Sequence, residues 1–305
     1  MKLRALVPGL LLILSLILAS RLSPHFLDLR YLLDTSTIYA ETGLLALAMT
    51  LVIVSGNIDL SIGSIMVLVA CLAAKMSEAG LGIPIVVLGS IGIGVVLGAT
   101  NGYVIAKLRL PSFLMTLATM AIARGVAQAM LGPKSIKLPK EFVGLDQATV
   151  IGMPWPLIIF LAAAIAVGVL LHKSVTGRWI IGLGTNEKAA LFSGVPIDRV
   201  KVLVFAISGL MAALAGLMID SRLAVARHDL ARGIELDAIT IAVVGGAAIQ
   251  GGEGTILGTT LALFLIMVIK TAMGVANIKA EYQLPVIGAL LILAVLADRL
   301  RRNRS

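Results

Sequence analysis

Polar residues are scarce in this 305-residue chain, and several of them lie together in residues 56–64, between two long apolar runs. This segment reads Gly-Asn-Ile-Asp-Leu-Ser-Ile-Gly-Ser, which places an amide, a carboxylate and hydroxyls inside a hydrophobic stretch. An ionisable group in a segment that crosses a membrane is energetically costly and is usually retained for function. Two interpretations are open. Asp59 or Ser61 caps the next helix in a tight turn, or Asn57, Asp59, Ser61 and Gly63 line a polar path.

A second polar segment lies in the other half of the chain and combines carboxylates with glycines. Residues 235–239 read Glu-Leu-Asp-Ala-Ile, and residues 245–254 read Gly-Gly-Ala-Ala-Ile-Gln-Gly-Gly-Glu-Gly. Two glycine-interrupted helix pairs, one in each half, are typical of a translocation site. Close helix packing explains the glycines equally well. The candidate path or helix-break residues here are Glu235, Asp237, Gly245 and Gly246.

The longest polar stretch, residues 172–201, predicts a loop that contains one short helix. Asn186 is suited to start that helix, and Gly194 followed by Pro196 is suited to end it. A short exposed helix that carries Leu191 and Phe192 fits a groove in a partner protein. Packing of the same helix on its own bundle is the alternative.

Sequence motifs for catalysis are missing from the chain. There is no G-x-x-x-x-G-K-S/T phosphate-binding loop, no H-E-x-x-H and no G-x-S-x-G. The three histidines are far apart in sequence, and the single cysteine, Cys71, makes no intrachain disulfide. We therefore expect no enzyme activity, no cofactor and no metal.

The composition is that of a membrane protein. Apolar residues make up 59% of the chain, charged residues 13%, and the mean hydropathy is +1.05. Lipid requires that backbone hydrogen bonds be satisfied within the protein, and the apolar runs show no strand alternation. We therefore predict an all-α polytopic bundle that forms one transmembrane domain over residues 1–305. The net charge of +9 resides in loops and tails, where it indicates topology and no nucleic-acid partner.

About ten transmembrane helices are predicted, although eight or nine are also compatible with the pattern. Six predicted spans separate the basic N-terminus from residues 172–201, and four more separate these from the arginine-rich C-terminus. Both numbers are even, so all three basic segments are expected in the cytoplasm. The spans lie near residues 5–20, 37–55, from after Asp59 to 76, 83–104, 112–131, 150–171, 202–219, 237–249, from after Gly254 to 271, and 284–297.

These segments together resemble the permease subunits of ribose-type ATP-binding-cassette importers, which carry monosaccharides and related small polar solutes. The resemblance extends over nearly the whole chain, with five blocks in the same order. The blocks are 56–64 (G-G-I-D-L-S-V-G-S in the family), 101–102 with 111–117 (N-G and P-x-F-I/L-x-T-L), 176–194 (T-x-x-G-R-x-x-x-x-G-x-N-x-x-A-A-x-x-x-G), 235–239 (E-L-D-A-I) and 245–252 (G-G…G-G).

The resemblance implies specific partners and a membrane. Such permeases work in pairs, as homodimers or heterodimers, in the bacterial inner membrane. Two cytoplasmic ATPase subunits hydrolyse the ATP, and a periplasmic sugar-binding protein delivers the solute. Ala189, Ala190 and Gly194 match the family's coupling segment, which docks on the ATPase. The full set of expected coupling residues is Glu187, Ala189, Ala190, Leu191, Phe192 and Gly194.

The chain departs from the family pattern in three places. Asn57 stands where the family has glycine, and Ala248-Ile249 stand where it commonly has Ser-Leu. Residues 227–233 lack the usual proline and carry fewer glycines. A different solute or a heterodimeric arrangement would each explain these changes.

Two other functions remain open from the residues alone. An ion-coupled secondary transporter needs titratable groups at membrane depth, for which Asp59, Arg124 and Glu253 are candidates. Such a carrier needs no coupling helix, whereas the importer does. A membrane scaffold or enzyme has no motif of its own in this sequence.

Overall fold

The computed structural model describes residues 2–22, 26–140, 142–143, 148–150 and 152–302, and these are predominantly helical. Four two-residue strands form two small antiparallel pairs, β1 with β4 and β2 with β3. The elements are α1 (Lys2–Ser20), α2 (Leu29–Val54), α3 (Ile62–Glu78), α4 (Ile83–Leu108), α5 (Ser112–Leu131), β1 (Ile136–Lys137), β2 (Thr149–Val150), β3 (Met153–Pro154), α6 (Trp155–Lys173), α7 (Val175–Thr185), α8 (Glu187–Phe192), α9 (Ile197–Leu223), β4 (Val225–Ala226), α10 (Ile234–Val244), α11 (Ile256–Val275), a 3-10 turn (Ala280–Tyr282) and α12 (Gln283–Arg302).

Six of these helices are long and apolar enough to cross a membrane: α2, α4, α5, α6, α9 and α11. Shorter apolar helical stretches occur at Val7–Ser20 and Pro285–Leu296. The prediction of a polytopic helical membrane protein is confirmed at this level. α10 has 11 residues and rises only about 16 Å, roughly half of the hydrocarbon thickness.

Segment 172–201 is mostly helical, whereas the sequence predicted a loop with one short helix. α7 forms because Ser174 caps its first turn, with the Gly177 N–H donating to Ser174 Oγ at 2.9 Å. The eighth predicted span is also shorter than expected. It was placed at 237–249, but α10 ends at Val244 because Gly246 takes a positive φ of 94°.

Five helices of the described residues, α2, α3, α8, α10 and α11, end in the same motif, and glycines supply it after α2, α3, α8 and α10. Gly56, Gly194 and Gly246 each adopt a positive φ just after α2, α8 and α10. In each case the next residue's N–H donates back to a carbonyl in the last turn, as in Asn57 N to Val52 O at 3.1 Å. This is a Schellman motif, for which glycine has no Cβ penalty.

α2 is the central helix, and its second half is almost completely enclosed. Residues 43–54 are all buried, and α2 contacts α6, α9, α10 and α11. A helix that is apolar on all sides is suited to such a position. One ionisable residue is buried near the middle of α2: Glu41 accepts two hydrogen bonds from Arg222 of α9, at 2.8 and 3.0 Å.

α4 and α9 form the most extensive helix pair, and glycines lie at their contact. Gly94, Gly98 and Gly102 are spaced by four residues on the α4 face that packs against α9. A Cβ on Gly98 would overlap the Phe205 carbonyl oxygen and lie 2.9 Å from Gly209 N. Small residues at this spacing let membrane helices approach closely. The spacing is visible in the sequence, but we did not predict this packing from it.

The link between α9 and α10 folds back against the bundle. Arg124 of α5 donates to the backbone carbonyls of His228, Leu230 and Ala231, at 3.1, 2.7 and 3.1 Å. On its exposed side, Arg227 donates two hydrogen bonds to Asp229, which lowers the pKa of that carboxyl below its ordinary value. Arginine side chains therefore hold this link, in which residues 227–233 depart from the family pattern.

Candidate translocation and coupling site

The break between α2 and α3 is organised around the carboxylate of Asp59, which is completely buried. Oδ1 accepts from the Ser61 backbone N–H at 2.9 Å and from Ser61 Oγ at 2.6 Å. Oδ2 accepts from Ser208 Oγ of α9 at 2.6 Å. Three donors thus balance the loss of water around the carboxylate. This geometry corresponds to the tight turn, in which Asp59 binds the Ser61 N–H and hydroxyl. Ser61 is the N-cap of α3, but its side chain makes no capping hydrogen bond.

The same network extends to two further helices. Asn101 of α4 donates to Ser61 Oγ at 2.9 Å and accepts from Thr119 of α5 at 2.6 Å. Backbone N–H groups of the break are also satisfied by α5: Ile58 N donates to Ser112 Oγ and Leu60 N to Thr116 Oγ1, both at 3.1 Å. Hydrogen bonds to α4 and α5 therefore hold the break in place.

Asn57 and Gly63 lie at the two ends of this break. The Asn57 amide donates to the backbone oxygen and Oγ of Ser55, at 3.1 and 3.0 Å, which closes the turn after α2. Gly63 lies against the first turn of α10, where a Cβ would be 2.7 Å from Glu235 Oε2. The structure therefore brings together the two polar segments that are about 170 residues apart in the sequence.

The remaining predicted path residues lie at the contact between α10 and α11. Asp237 pairs with Lys270 of α11 at 2.6 Å, with both side chains largely buried. Gly245 packs on the α11 backbone, where a Cβ would lie 2.6 Å from Thr259 N. Gly246 supplies the positive φ that ends α10. Close packing therefore explains Gly245, and the turn explains Gly246.

Helix α8 has the predicted caps and exposes its apolar tip. Asn186 accepts from Ala189 N at 3.0 Å at its start, and Gly194 adopts a φ of 79° after its end. Phe192 is 90% exposed and Leu191 is 59% exposed, while Ala190 is buried beneath them. Ala189 is exposed as well. An exposed apolar pair on a capped helix is suited to insertion into a groove of another protein.

One ion pair attaches α8 to the bundle, and a second one beside it joins α4 to α9. Glu187 pairs with Lys201 of α9, and Lys107 at the end of α4 pairs with Asp198, both at 2.7 Å. A groove lined in part by Tyr103, Leu191 and Val202 runs between α4, α9 and α8. α8 is therefore anchored at its base by Glu187, while Phe192 at its tip is almost fully exposed.

Sequence reasoning missed the partners that hold the break. Ser208 was not singled out, although it is the only α9 residue that donates to Asp59 among the hydrogen bonds of the described residues. Asn101, Ser112 and Thr116 belong to the motif blocks quoted above but had no role assigned to them. Their signal was a polar residue in an otherwise apolar helix, which is costly unless it has a partner.

Comparisons with known proteins agree with this architecture. The chain is 38% identical over 295 residues to the ribose import permease protein RbsC of Bacillus subtilis (strain 168), covering 96% of this chain and 92% of that protein. It is 31% identical over 286 residues to RbsC of Escherichia coli (strain K12), with coverages of 92% and 89%. It is also 31% identical over 302 residues to the autoinducer 2 import system permease protein LsrD of Escherichia coli O9:H4 (strain HS), with coverages of 97% and 92%.

A family comparison covers most of the chain. No solved structure matches the chain. Residues 31–295 match the family described as branched-chain amino acid transport system / permease component. That description is of a transport component, which confirms the expectation that the chain is not itself an enzyme. With most of its length matched and with relatives above 30% identity over nearly their whole lengths, the chain belongs to this family of transport-system permease components.

Proposed function

We propose that the chain is the permease subunit of an ATP-binding-cassette importer that moves a monosaccharide or similar small polar solute across the bacterial inner membrane. The relatives named for ribose and autoinducer 2 import, at 31–38% identity, support the solute class. The observation that carries the proposal is α8, whose exposed Leu191 and Phe192 have the character of a docking helix. The energy source is an ATPase on a separate subunit.

The proposed topology has ten transmembrane segments in one domain, 1–305, with both termini in the cytoplasm. Contacts at the α8 end of the bundle support it. Gly252 N donates to Val54 O at 2.8 Å, Lys107 pairs with Asp198, and His172 lies beside Ile256 N. The ends of α2, α4 and α6 and the starts of α9 and α11 therefore lie together, as expected if segment 172–201 is cytoplasmic.

Two interrupted helix pairs, α2–α3 and α10–α11, would then flank the solute path. Gly63 and Glu235 bring the two pairs into contact. In this conformation the contact is closed, so transport requires that the two pairs separate. ATP binding would shift the population between outward-open and inward-open states by pulling on α8. The permease is expected to bind the solute weakly, because a periplasmic binding protein supplies the affinity and the permease must release the solute.

The partner set follows from this proposal. An ATPase groove receives Leu191 and Phe192, with Glu187, Ala189, Ala190 and Gly194 shaping the helix that presents them. A second permease subunit, identical or different, completes the path. A periplasmic sugar-binding protein docks on the opposite face.

Replacing Phe192 tests the coupling role. We expect Phe192→Glu to weaken binding of the ATPase about 30-fold, because removal of a central aromatic anchor costs about 2 kcal/mol. Solute uptake by vesicles should fall in parallel. Co-purification of the two subunits and radiolabelled uptake measure these effects.

Phe192→Leu is the matched control, since it keeps an apolar side chain at the same position. It should retain most of the binding and uptake. If Phe192→Glu assembles and transports like the unaltered protein, α8 is not the docking helix.

A further inference from the structure

We propose that Gly184, near the end of α7, is the positioning residue through which movement of α8 reaches both glycine breaks of the bundle. This inference rests on the coupling role of α8 proposed above. Gly184 lies in the block 176–194 quoted above, but it was given no role there, because it is outside the short docking helix. The contact at Gly184 is made of backbone atoms from three separate parts of the chain.

The backbones of Gly184, Val54 and Gly252 approach one another closely. A Cβ on Gly184 would overlap the carbonyl oxygen of Val54 and lie 2.5 Å from Gly252 N. A Cβ on Gly251 would lie 2.7 Å from Gly184 O and 2.8 Å from Gly56 Cα. Any side chain at Gly184 would therefore displace backbone, which flexible side-chain rotation cannot relieve.

A hydrogen bond joins the two breaks at the same point. Gly252 N donates to Val54 O at 2.8 Å. Val54 is the last residue of α2, and Gly252 lies in the segment between α10 and α11. The Gly184 backbone thus rests on the atoms that tie one interrupted helix pair to the other. We call this contact, formed by Gly56, Gly184, Gly251 and Gly252, the glycine junction.

α7 and α8 are joined through a shared capping residue. Asn186 is both the last cap of α7 and the first cap of α8: its N–H donates to Gly182 O at 3.1 Å, and its Oδ1 accepts from Ala189 N at 3.0 Å. One residue therefore separates two capped helices. A force on Phe192 reaches Gly184 through hydrogen-bonded backbone.

The glycine junction connects to the Asp59 network on one side and to α11 on the other. Gly56 leads directly into the Asp59 network, which connects to α4, α5 and α9. Gly251 and Gly252 precede α11, whose Thr259 packs on Gly245 at the end of α10. Displacement at a single backbone contact is thus passed to both interrupted pairs. A contiguous set of packed contacts of this kind can carry energetic coupling between distant sites.

A pair of alanine substitutions in α7 tests the proposal in the assembled importer. Gly184→Ala introduces the Cβ that the junction cannot accept. Gly182→Ala is the matched control in the same helix. Its new Cβ would have no heavy atom of the described residues within 4 Å apart from its own helix. Uptake and ATP hydrolysis are measured together in vesicles that contain permease, ATPase and binding protein.

In the Gly184→Ala importer that assembles, we expect ATP hydrolysis to persist while uptake falls roughly tenfold. Gly182→Ala should keep both activities. Uptake by Gly184→Ala equal to that of Gly182→Ala would overturn the proposal. If Phe192→Glu still reduces uptake in that case, the coupling role of α8 stands and only the junction fails.

Hydrogen exchange on the unaltered importer provides a test that does not depend on folding of a variant. The Gly252 amide should change its protection when vanadate traps the ATPases in their closed state, because the bond to Val54 O lies in the junction. The Gly80 amide, which donates to Ser77 O at the end of α3, is the reference. Unchanged protection at Gly252 would overturn the proposal even if Gly184→Ala fails to assemble.

Discussion

Gly98→Leu is expected to abolish the folded permease. The new side chain would begin at a Cβ that overlaps the Phe205 carbonyl and lies 3.0 Å from Gly209 Cα. Because both obstacles are backbone, α4 and α9 must separate along their contact. Overpacking of an interior commonly costs about 1–3 kcal/mol, and a backbone-to-backbone contact has less room to adjust, so we expect about 3 kcal/mol or more. Yield of monodisperse protein in detergent and its thermal unfolding measure the effect.

Gly92→Leu on the same helix is the control. Gly92 is exposed, and a Cβ there would be more than 4 Å from the heavy atoms of the described residues apart from its own helix. The substitution adds the same apolar side chain to α4 without opposing α9. Equal yields and equal unfolding temperatures for the two variants would show that the glycine face of α4 does not set the α4–α9 distance.

Asp59→Leu is expected to have the second largest effect. It removes the acceptor for the Ser61 N–H, the Ser61 hydroxyl and the Ser208 hydroxyl, all of which are buried. Leaving buried donors without partners costs about 1–3 kcal/mol each, and the hydroxyls can reorient, so a net loss of roughly 3 kcal/mol is expected. The variant should be lost from the membrane or unfold at a lower temperature in detergent.

Asp59→Asn separates the importer from an ion-coupled carrier. An amide oxygen can still accept from Ser61, and its NH2 group can donate to Ser208 Oγ, which also has acceptor lone pairs. We therefore expect a stable protein with near-normal, ATP-dependent uptake. An ion-coupled carrier that uses this carboxylate needs the proton or charge that asparagine lacks. Stable Asp59→Asn protein without uptake would therefore contradict the structural role assigned to Asp59.

Features fixed by neighbouring residues were predictable from the sequence. The caps of α8 follow from Asn186 and Gly194, because a side-chain acceptor and a positive-φ residue act within one helical turn. The apolar runs predict membrane helices for the same local reason. Where local signals conflicted, the prediction was wrong: residues 245–249 are apolar enough to extend α10, but Gly246 ends it at Val244.

The glycines show most clearly where sequence reasoning stopped. A glycine followed by a polar residue identified the break at Gly56, because tolerance of a positive φ is a property of the residue itself. Gly246, by contrast, is followed by Ala247 and lies inside the span predicted at 237–249. Gly98 and Gly184 are equally essential to the packing, yet both lie within helices and have no local signal of their conformation. Their role depends on which backbone faces them, which is Phe205 in one case and Val54 in the other.

The sequence by itself predicted a membrane environment, an all-α fold, the position of α8 and the break after α2, because composition, capping residues and positive-φ glycines act locally. Only the tertiary structure decided that Asp59 is enclosed by Ser61 and Ser208, that Gly63 meets Glu235, and that the two breaks converge on Gly184. Apart from the Asp59–Ser61 pair, these contacts join residues more than 60 positions apart. Their geometry depends on how whole helices pack, and no short stretch of sequence carries that information.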